Sequence, residues 1–287
     1  MRPYRQDNPT GYAPAVAEAA TGEEPHARPD KDDMELTVLG CSGGVGAGLR
    51  TTTLRLNGQV LIDAGTGLGD LSLEEMAQIR HIFLTHSHLD HVASIPLLLD
   101  SIFDRIEEPI VIHGLEVTLQ ALQTHIFNNV IWPDFAILPN RANPVMRYEP
   151  MMPGQIREVA GLAIEMIPVN HVVPGVGYRV ETPNKVFAFS GDTSTNDTFW
   201  QALNRYTELD MLLVEAAFPN RDEELCRRAG HYCPSLLAAD LRKLNLQPEV
   251  YISHNKPGAE DEIFRECQAA ITSHRIHRLG AGDRFTL

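Results

Sequence analysis

From His86 to His91 the chain reads His-Ser-His-Leu-Asp-His, so four of six consecutive residues are able to hold a metal ion. Neutral imidazoles and carboxylates are ligands that zinc, manganese and iron accept, whereas four such groups crowded together without an ion are poorly solvated and partly repulsive. The segment follows the apolar run Ile82, Phe83, Leu84. That run reads as the end of a buried strand, which brings the next residues out at a sheet edge, where irregular backbone turns several side chains toward one point. His86 and His88, two apart on extended chain, face one ion. Asp90 and His91, where a helical pattern begins, face a second ion beside it. The chemistry implied is metal-dependent hydrolysis.

A two-metal site needs more ligands, and strand ends are where to look for them. His171 follows Ile167-Pro168-Val169-Asn170, Asp192 follows Val186-Phe187-Ala188-Phe189-Ser190-Gly191, and His254 follows Val250-Tyr251-Ile252-Ser253. With these the coordination count closes: His86, His88 and His171 for one ion, Asp90, His91 and His254 for the other, and Asp192 as a bridge. Two divalent ions carry four positive charges, and two aspartates with a hydroxide return three. About one net positive charge then faces the substrate, which favours an anion. A metal pair about 4 Å apart generates hydroxide near neutral pH and holds a phosphoryl oxygen in line for attack.

The elements that would position these residues are short apolar strands separated by turns. Strands are expected at Leu36 to Leu39, Thr52 to Leu56, Val60 to Ile62, Ile82 to Leu84, Ile110 to Ile112, Ile164 to Pro168, Val176 to Val180, Val186 to Phe189, Met211 to Val214 and Val250 to Ile252. Helical spacing runs from Val92 to Phe103, with Pro96 distorting its early turns or marking where regular hydrogen bonding begins. Further helices are expected at Val117 to Phe127, Thr198 to Tyr206, Leu236 to Leu244 and Glu262 to Ile271. The layout is a pair of β-sheets covered by helices in one domain, residues 34–287. Residues 1–33 carry almost no apolar periodicity and end in Asp30-Lys31-Asp32-Asp33, the pattern of a disordered, solvated tail. No internal repeat is visible.

Composition narrows the partners. A formal charge of -14 over 287 residues repels the backbone of long nucleic acids unless a basic patch overrides it, and no Lys/Arg run exceeds Arg227-Arg228. A small anion is less affected, because bound metals supply local positive charge. No stretch approaches the roughly 20 apolar residues of a membrane span, and the N-terminus has no apolar signal-peptide centre. Cys41, Cys226, Cys233 and Cys267 lack the spacing of a disulfide framework or a CxxC pair, so free thiols in a reducing, cytoplasmic setting are expected. An oligomer is compatible with all of this.

The His86–His91 signature with His171, Asp192 and His254 resembles the metallo-β-lactamase fold. The segments His86 to Pro96, Ile126 to Phe135 (Ile-Phe-Asn-Asn-Val-Ile-Trp-Pro-Asp-Phe), Ser190 to Thr193, Glu215 to Asn220, Gly230 to Pro234 and Ser253 to Pro257 resemble, more narrowly, the class II 3',5'-cyclic nucleotide phosphodiesterases. The resemblance implies an α/β protein, an αββα sandwich of two mixed β-sheets flanked by helices. It also implies two zinc-like ions, with manganese or iron as alternatives, and hydrolysis of cyclic AMP or cyclic GMP to the 5'-nucleotide. Thr193 fits the family pattern, while Ser194 and Tyr232-Cys233 depart from it, which bears on substrate preference more than on metal binding.

His231, in a segment resembling the family's Gly-His motif, is the candidate general acid, alongside Asp90 and Asp192 as catalytic carboxylates. Asp63 ends a strand and is able either to orient a ligand imidazole or simply to form a turn. Asn128, Asn129 and Trp132 are candidates for lining a nucleotide pocket, although a helix end and a core plug explain them as well or better. Gly40, Gly43, Gly44 and Gly46 form a turn beside the site without the ending of a P-loop. His26, His81, His113, His125, His274 and His277 have no context that suggests a role. Competing functions are a tRNA 3'-processing type of ribonuclease, a non-catalytic nucleotide sensor, and an acyl hydrolase of the lactonase or β-lactamase kind.

Overall fold

The apolar strands are buried on both faces, so they read as continuous hydrophobic runs, and the two faces meet different partners. In Val60–Ile62, Val60 and Ile62 pack against the opposing sheet while Leu61 packs against helices. Val186–Phe189 divides in the same way, with Phe187 and Phe189 toward the sheet and Val186 and Ala188 toward helices. These residues belong to a computed structural model that describes residues 33–287; the expected tail, apart from Asp33, lies outside the described residues.

Two seven-stranded sheets result. The first runs in the order Arg284–Thr286, Glu35–Gly40, Thr53–Leu56, Val60–Ile62, His81–Phe83, Ile110–Gly114, Met146–Pro150. The second runs Ile156–Val159, Leu162–Val169, Gly175–Glu181, Val186–Phe189, Met211–Glu215, Glu249–Ser253, Ile276–Arg278. Read this way, each sheet has three antiparallel pairings followed by three parallel ones. The two sheets therefore repeat one pairing scheme that no sequence periodicity announces.

Between the sheets lies a core that includes Leu36, Val38, Leu54, Phe83, Met166, Tyr178 and Leu213. On the outer face of the first sheet, Val92, Ile95, Leu98 and Leu99 pack with Leu119 and Leu122 of the helix Glu116–His125. On the outer face of the second, Phe199 and Trp200 of Thr198–Leu203, Leu237 and Leu241 of Pro234–Leu241, and Ile263 and Cys267 of Glu260–Ala270 form the equivalent layer. The architecture is thus helix, sheet, sheet, helix, an α/β sandwich of two mixed sheets.

The helical stretch after His91 divides into Leu89–Val92 and Ile95–Ser101, with Pro96 in the first turn of the second, where its missing N–H has no partner to lose. The break has a second cause. The turn at Ala64 reaches in, donating its N–H to the His91 carbonyl at 2.7 Å and accepting from the Ser94 N–H at 2.9 Å. The turn after Val60–Ile62 and the histidine segment are therefore fastened to each other.

The parallel pairings align Ile62 with Phe83 in one sheet, and Phe189 with Leu213 and Glu215 with Ser253 in the other. Consequently the strands feeding Asp63, His86, Asp192 and His254 end at one rim of the sandwich. Bonds between the sheets close that rim. Tyr178 donates its hydroxyl to the Leu84 carbonyl at 2.7 Å, Val176 N–H reaches Thr85 O at 3.0 Å, and His254 N–H reaches Cys41 O at 2.7 Å.

Candidate metal centre

At this rim the strand-end residues converge. His86, His88 and His171 present ligand atoms that all lie within 4.8 Å of one another, as do Asp90, His91, Asp192 and His254. In the first group His88 Nδ1 and His171 Nε2 are 3.2 Å apart. In the second, Asp192 Oδ2 lies 3.3 Å from His91 Nε2 and 3.2 Å from His254 Nε2, and the same oxygen is 3.7 Å from His86 Nε2. Asp192 thus stands between the groups. Asp90 Oδ2, nearer the surface, is 3.9 Å from both His91 Nε2 and His254 Nε2.

The far nitrogens of the imidazoles are fixed by neighbours. His91 Nδ1 donates to Asp63 Oδ2 at 2.7 Å, and Thr85 gives both its N–H and its hydroxyl to the same carboxylate at 2.8 Å each. With its proton committed to Asp63, the Thr85 hydroxyl oxygen is left to accept from His86 Nδ1, 3.0 Å away. His171 Nδ1 donates to Gly230 O at 2.8 Å. Each of these rings therefore turns Nε2 into the cavity. His86, His91 and His254 have Nε2 buried with no hydrogen-bond partner. A buried polar atom left in that condition costs about 1–3 kcal/mol, a cost that a cation held between them removes. Five imidazoles and two carboxylates around two adjacent points fit a pair of divalent ions.

Electrostatics point the same way. Burial holds the pKa of His86 well below the ordinary histidine value and lowers those of His88 and His171, keeping their lone pairs available. Burial likewise brings His254 down to about 3. His91 differs: burial opposes its charge, but the Asp192 and Asp63 carboxylates outweigh burial and raise it. Burial would raise Asp192, yet the surrounding His254 and His91 hold it well below the usual carboxylate range.

The backbone supports this geometry at some cost. Asp63 and His254 have positive φ, 58° and 57°, a conformation that costs non-glycine residues of order 1 kcal/mol and clusters where a site requires it. Gly230, at φ 73°, passes so close to His171 that an added Cβ would lie 3.1 Å from its Nδ1.

His231 joins the constellation, its ring 5.0 Å from that of His171 and 5.4 Å from that of His254. Its Nδ1 donates to Glu215 Oε1 at 2.8 Å. Burial lowers its pKa, but the Glu215 carboxylate more than compensates and the net direction is upward. Glu215 is fully buried and also accepts the Thr193 N–H at 2.7 Å. Sequence reasoning did not single out Glu215 for a role, although it ends the apolar strand Met211–Glu215 just as the expected ligands end theirs.

A family model described as "Beta-lactamase superfamily domain" matches residues 59–254. The chain belongs to the beta-lactamase superfamily. Within the superfamily it is 28% identical to a probable 3',5'-cyclic-nucleotide phosphodiesterase of Yersinia pestis, over 78% of each chain. It is 27% identical to a ribonuclease Z of Bradyrhizobium sp. (strain ORS 278), over 85% of this chain and 97% of the relative. The crystal structure of unliganded yeast PDE1 superimposes with a TM-score of 0.74 at 20% identity, covering 88% of this chain and 99% of that one, a likeness of fold.

Other residues with proposed roles in this superfamily member sit differently. The Asn128 side-chain oxygen accepts from Val130 and Ile131 N–H at 2.9 and 2.8 Å, and Asn129 Oδ1 accepts from Asp134 N–H at 3.1 Å, so both amides hold a turn. Trp132 packs against the helix-side core of the first sheet. The glycine turn does lie beside the site: Gly43 N–H reaches Asn255 O at 2.9 Å. His274 donates from Nε2 to Leu246 O at 3.0 Å and meets the Ser273 hydroxyl through Nδ1 at 2.9 Å, and His277 contacts Glu249, both away from the cluster. His26 lies outside the described residues.

Proposed function

We propose that this chain is a dinuclear metal-dependent phosphodiesterase that opens 3',5'-cyclic nucleotides, cyclic AMP or cyclic GMP, to 5'-nucleotides. The observation that carries the reading is the convergence of seven side chains on two adjacent points with three buried, unpartnered imidazole nitrogens facing inward. The cyclic-nucleotide phosphodiesterase relatives support the substrate class. His86, His88 and His171 would hold one ion, Asp90, His91 and His254 the other, and Asp192 both. The nitrogen-rich set favours zinc, with manganese or iron as alternatives.

When bound, the ion pair supplies Lewis acidity and ionises water near neutral pH. The chain's own groups do the rest. Asp63, Thr85 and the Gly230 carbonyl lock the tautomer and tilt of His91, His86 and His171. His231, with Nδ1 bound to Glu215, keeps Nε2 free to deliver a proton to the 3' oxygen as the phosphate ring opens. Glu215 favours the protonated ring against the opposing effect of burial. Four free thiols, Cys41, Cys226, Cys233 and Cys267, fit a reducing compartment and a cytoplasmic enzyme, and no helix among the described residues is long and apolar enough to cross a membrane. Residues 34–287 act as one catalytic domain in this reading.

The test is release of 5'-AMP from cyclic AMP by the metal-loaded protein. Turnover supports the reading; brisk hydrolysis of another ester with no turnover of any cyclic nucleotide removes it. A second reading, a ribonuclease of the tRNA 3'-processing type, draws on the near full-length coverage of the ribonuclease Z relative. The charge of -14 weighs against it, and salt-sensitive binding and cleavage of a tRNA precursor would favour it.

A further inference from the structure

Residues 33–287 contain three lysines, and two of them are ion-paired: Lys185 with Asp210 at 2.9 Å, and Lys243 with Asp197 and Asp240 at 2.8 Å each. The third is Lys256. Among the described residues no carboxylate lies within 4.0 Å of its ammonium, in a chain where acidic residues outnumber basic ones 38 to 24. Its position is nonetheless fixed at both ends. The backbone N–H reaches Ala217 O at 3.0 Å, and Nζ donates to Gly43 O at 2.8 Å, which leaves two ammonium protons for another acceptor. Nζ also stands 5.8 Å from the centre of the Phe218 ring, whose centre is in turn 5.8 Å from that of His231.

The lysine is anchored against the site. Gly43, whose carbonyl it holds, packs so close to the His254 ring that an added Cβ would lie 3.0 Å from Cδ2. A third cation beside a centre built for two is repulsive unless an anion lies among them. Acidic residues are plentiful in this chain, yet among the described residues none pairs with this cation. An ammonium with no acidic partner among the described residues, anchored to the glycine turn beside a candidate cation site, is the arrangement expected where the anion comes with the substrate.

We propose that Lys256 is a substrate-contacting residue, its ammonium taking a non-bridging phosphate oxygen and so selecting anionic phosphoesters over neutral esters. This deepens the cyclic-nucleotide reading and rests on it for the phosphate.

The experiment uses the metal-loaded full chain, Lys256→Met and Lys256→Arg. Calorimetry measures binding of 5'-AMP and of inorganic phosphate, kinetics give KM and kcat for cyclic AMP, and metal content and melting temperature are followed in parallel. Lys256→Met is expected to weaken both ligands roughly 10- to 100-fold and to raise KM more than it lowers kcat, since one charge-assisted bond is lost. Lys256→Arg should retain most of the affinity, and metal content should be unchanged in both. Affinity of Lys256→Met for 5'-AMP within about twofold of the parent would overturn the proposal. So would equal losses in both variants accompanied by loss of metal, because the residue would then serve only to hold the glycine turn. If the parent binds phosphate through Lys256 but hydrolyses no cyclic nucleotide, the substrate reading falls and the lysine contact stands. Turnover indifferent to Lys256 gives the reverse.

Discussion

Asp63 and His91, 28 positions apart, are joined by a 2.7 Å hydrogen bond with both side chains fully buried. The bond spans the two structures that had to be brought together: the turn after Val60–Ile62 and the histidine segment after His81–Phe83. It selects the tautomer of His91 in which Nδ1 carries the proton and Nε2 faces Asp192. The alternative role for Asp63, a turn-former, is also met, since it sits at positive φ. The residue does both.

Replacing Asp63 by Ala is therefore expected to loosen one ion more than the other. The affinity of the His91-containing group should fall by about 10- to 100-fold, the usual consequence of removing a carboxylate behind a ligand histidine. Chelator competition with the ions counted by elemental analysis measures it. Two ions held as tightly as in the parent would reduce Asp63 to its turn.

Asp192→Ala tests the bridge. With its oxygen within 3.7 Å of His86 and 3.3 Å of His91, its removal would take the proposed bridging carboxylate from both groups at once. Bound metal should drop to about one ion or fewer, with activity falling by orders of magnitude. Should purified Asp192→Ala carry two ions per chain, Asp192 does not lie between them.

His231 is expected to behave differently. His231→Ala should keep both ions and slow the chemical step by about 100-fold or more. The proton on His231 must be present for it to act as an acid, so activity depending on it is lost as pH rises through its raised pKa. Glu215 is the group that raises it, after burial has pulled it down. Glu215→Gln should accordingly move the alkaline limb of the kcat profile to lower pH. An unshifted limb, or loss of metal in His231→Ala, would assign the histidine to structure.

How much of this was readable before folding depends on what is local. The candidate ligands were legible because they fall within a few positions after an apolar run, a pattern contained in short stretches of sequence. The strands of the two large sheets that were missed are Arg284–Thr286, Met146–Pro150, Ile156–Val159 and Ile276–Arg278, their four outer edges, and the short pair Pro139–Asn140 and Asn143–Pro144 was missed as well. An edge strand is held by its neighbour's backbone and exposes much of its surface, so its side chains need no apolar alternation. Tertiary partnerships such as Asp63 with His91 or Glu215 with His231 leave no signature either, since nothing in the spacing says which strand ends will meet. The expected helix Leu236 to Leu244 is seen as Pro234–Leu241, Pro234 occupying the first turn where proline is well tolerated.

A last prediction concerns stability away from the site. His113 is 1% exposed, stacked on Phe83 with ring centres 4.3 Å apart, and its Nε2 meets His81 Nδ1 at 3.1 Å. Burial, aided by the charges of His81 and Arg157, lowers its pKa to about 3. The unfolded chain binds a proton there near pH 6.5 while the fold resists it, so folding stability is fully present above about pH 6.5 and declines as pH falls toward 3. At pH 5 the loss from this one group is about 2 kcal/mol, from roughly 1.5 pH units below the unfolded value. His113→Gln cannot titrate. Urea unfolding of parent and variant at pH 7.5 and pH 5 should show the parent losing about 2 kcal/mol more than the variant between the two conditions. Equal losses would mean that the fold opens to hydrate His113 before it has to carry a charge.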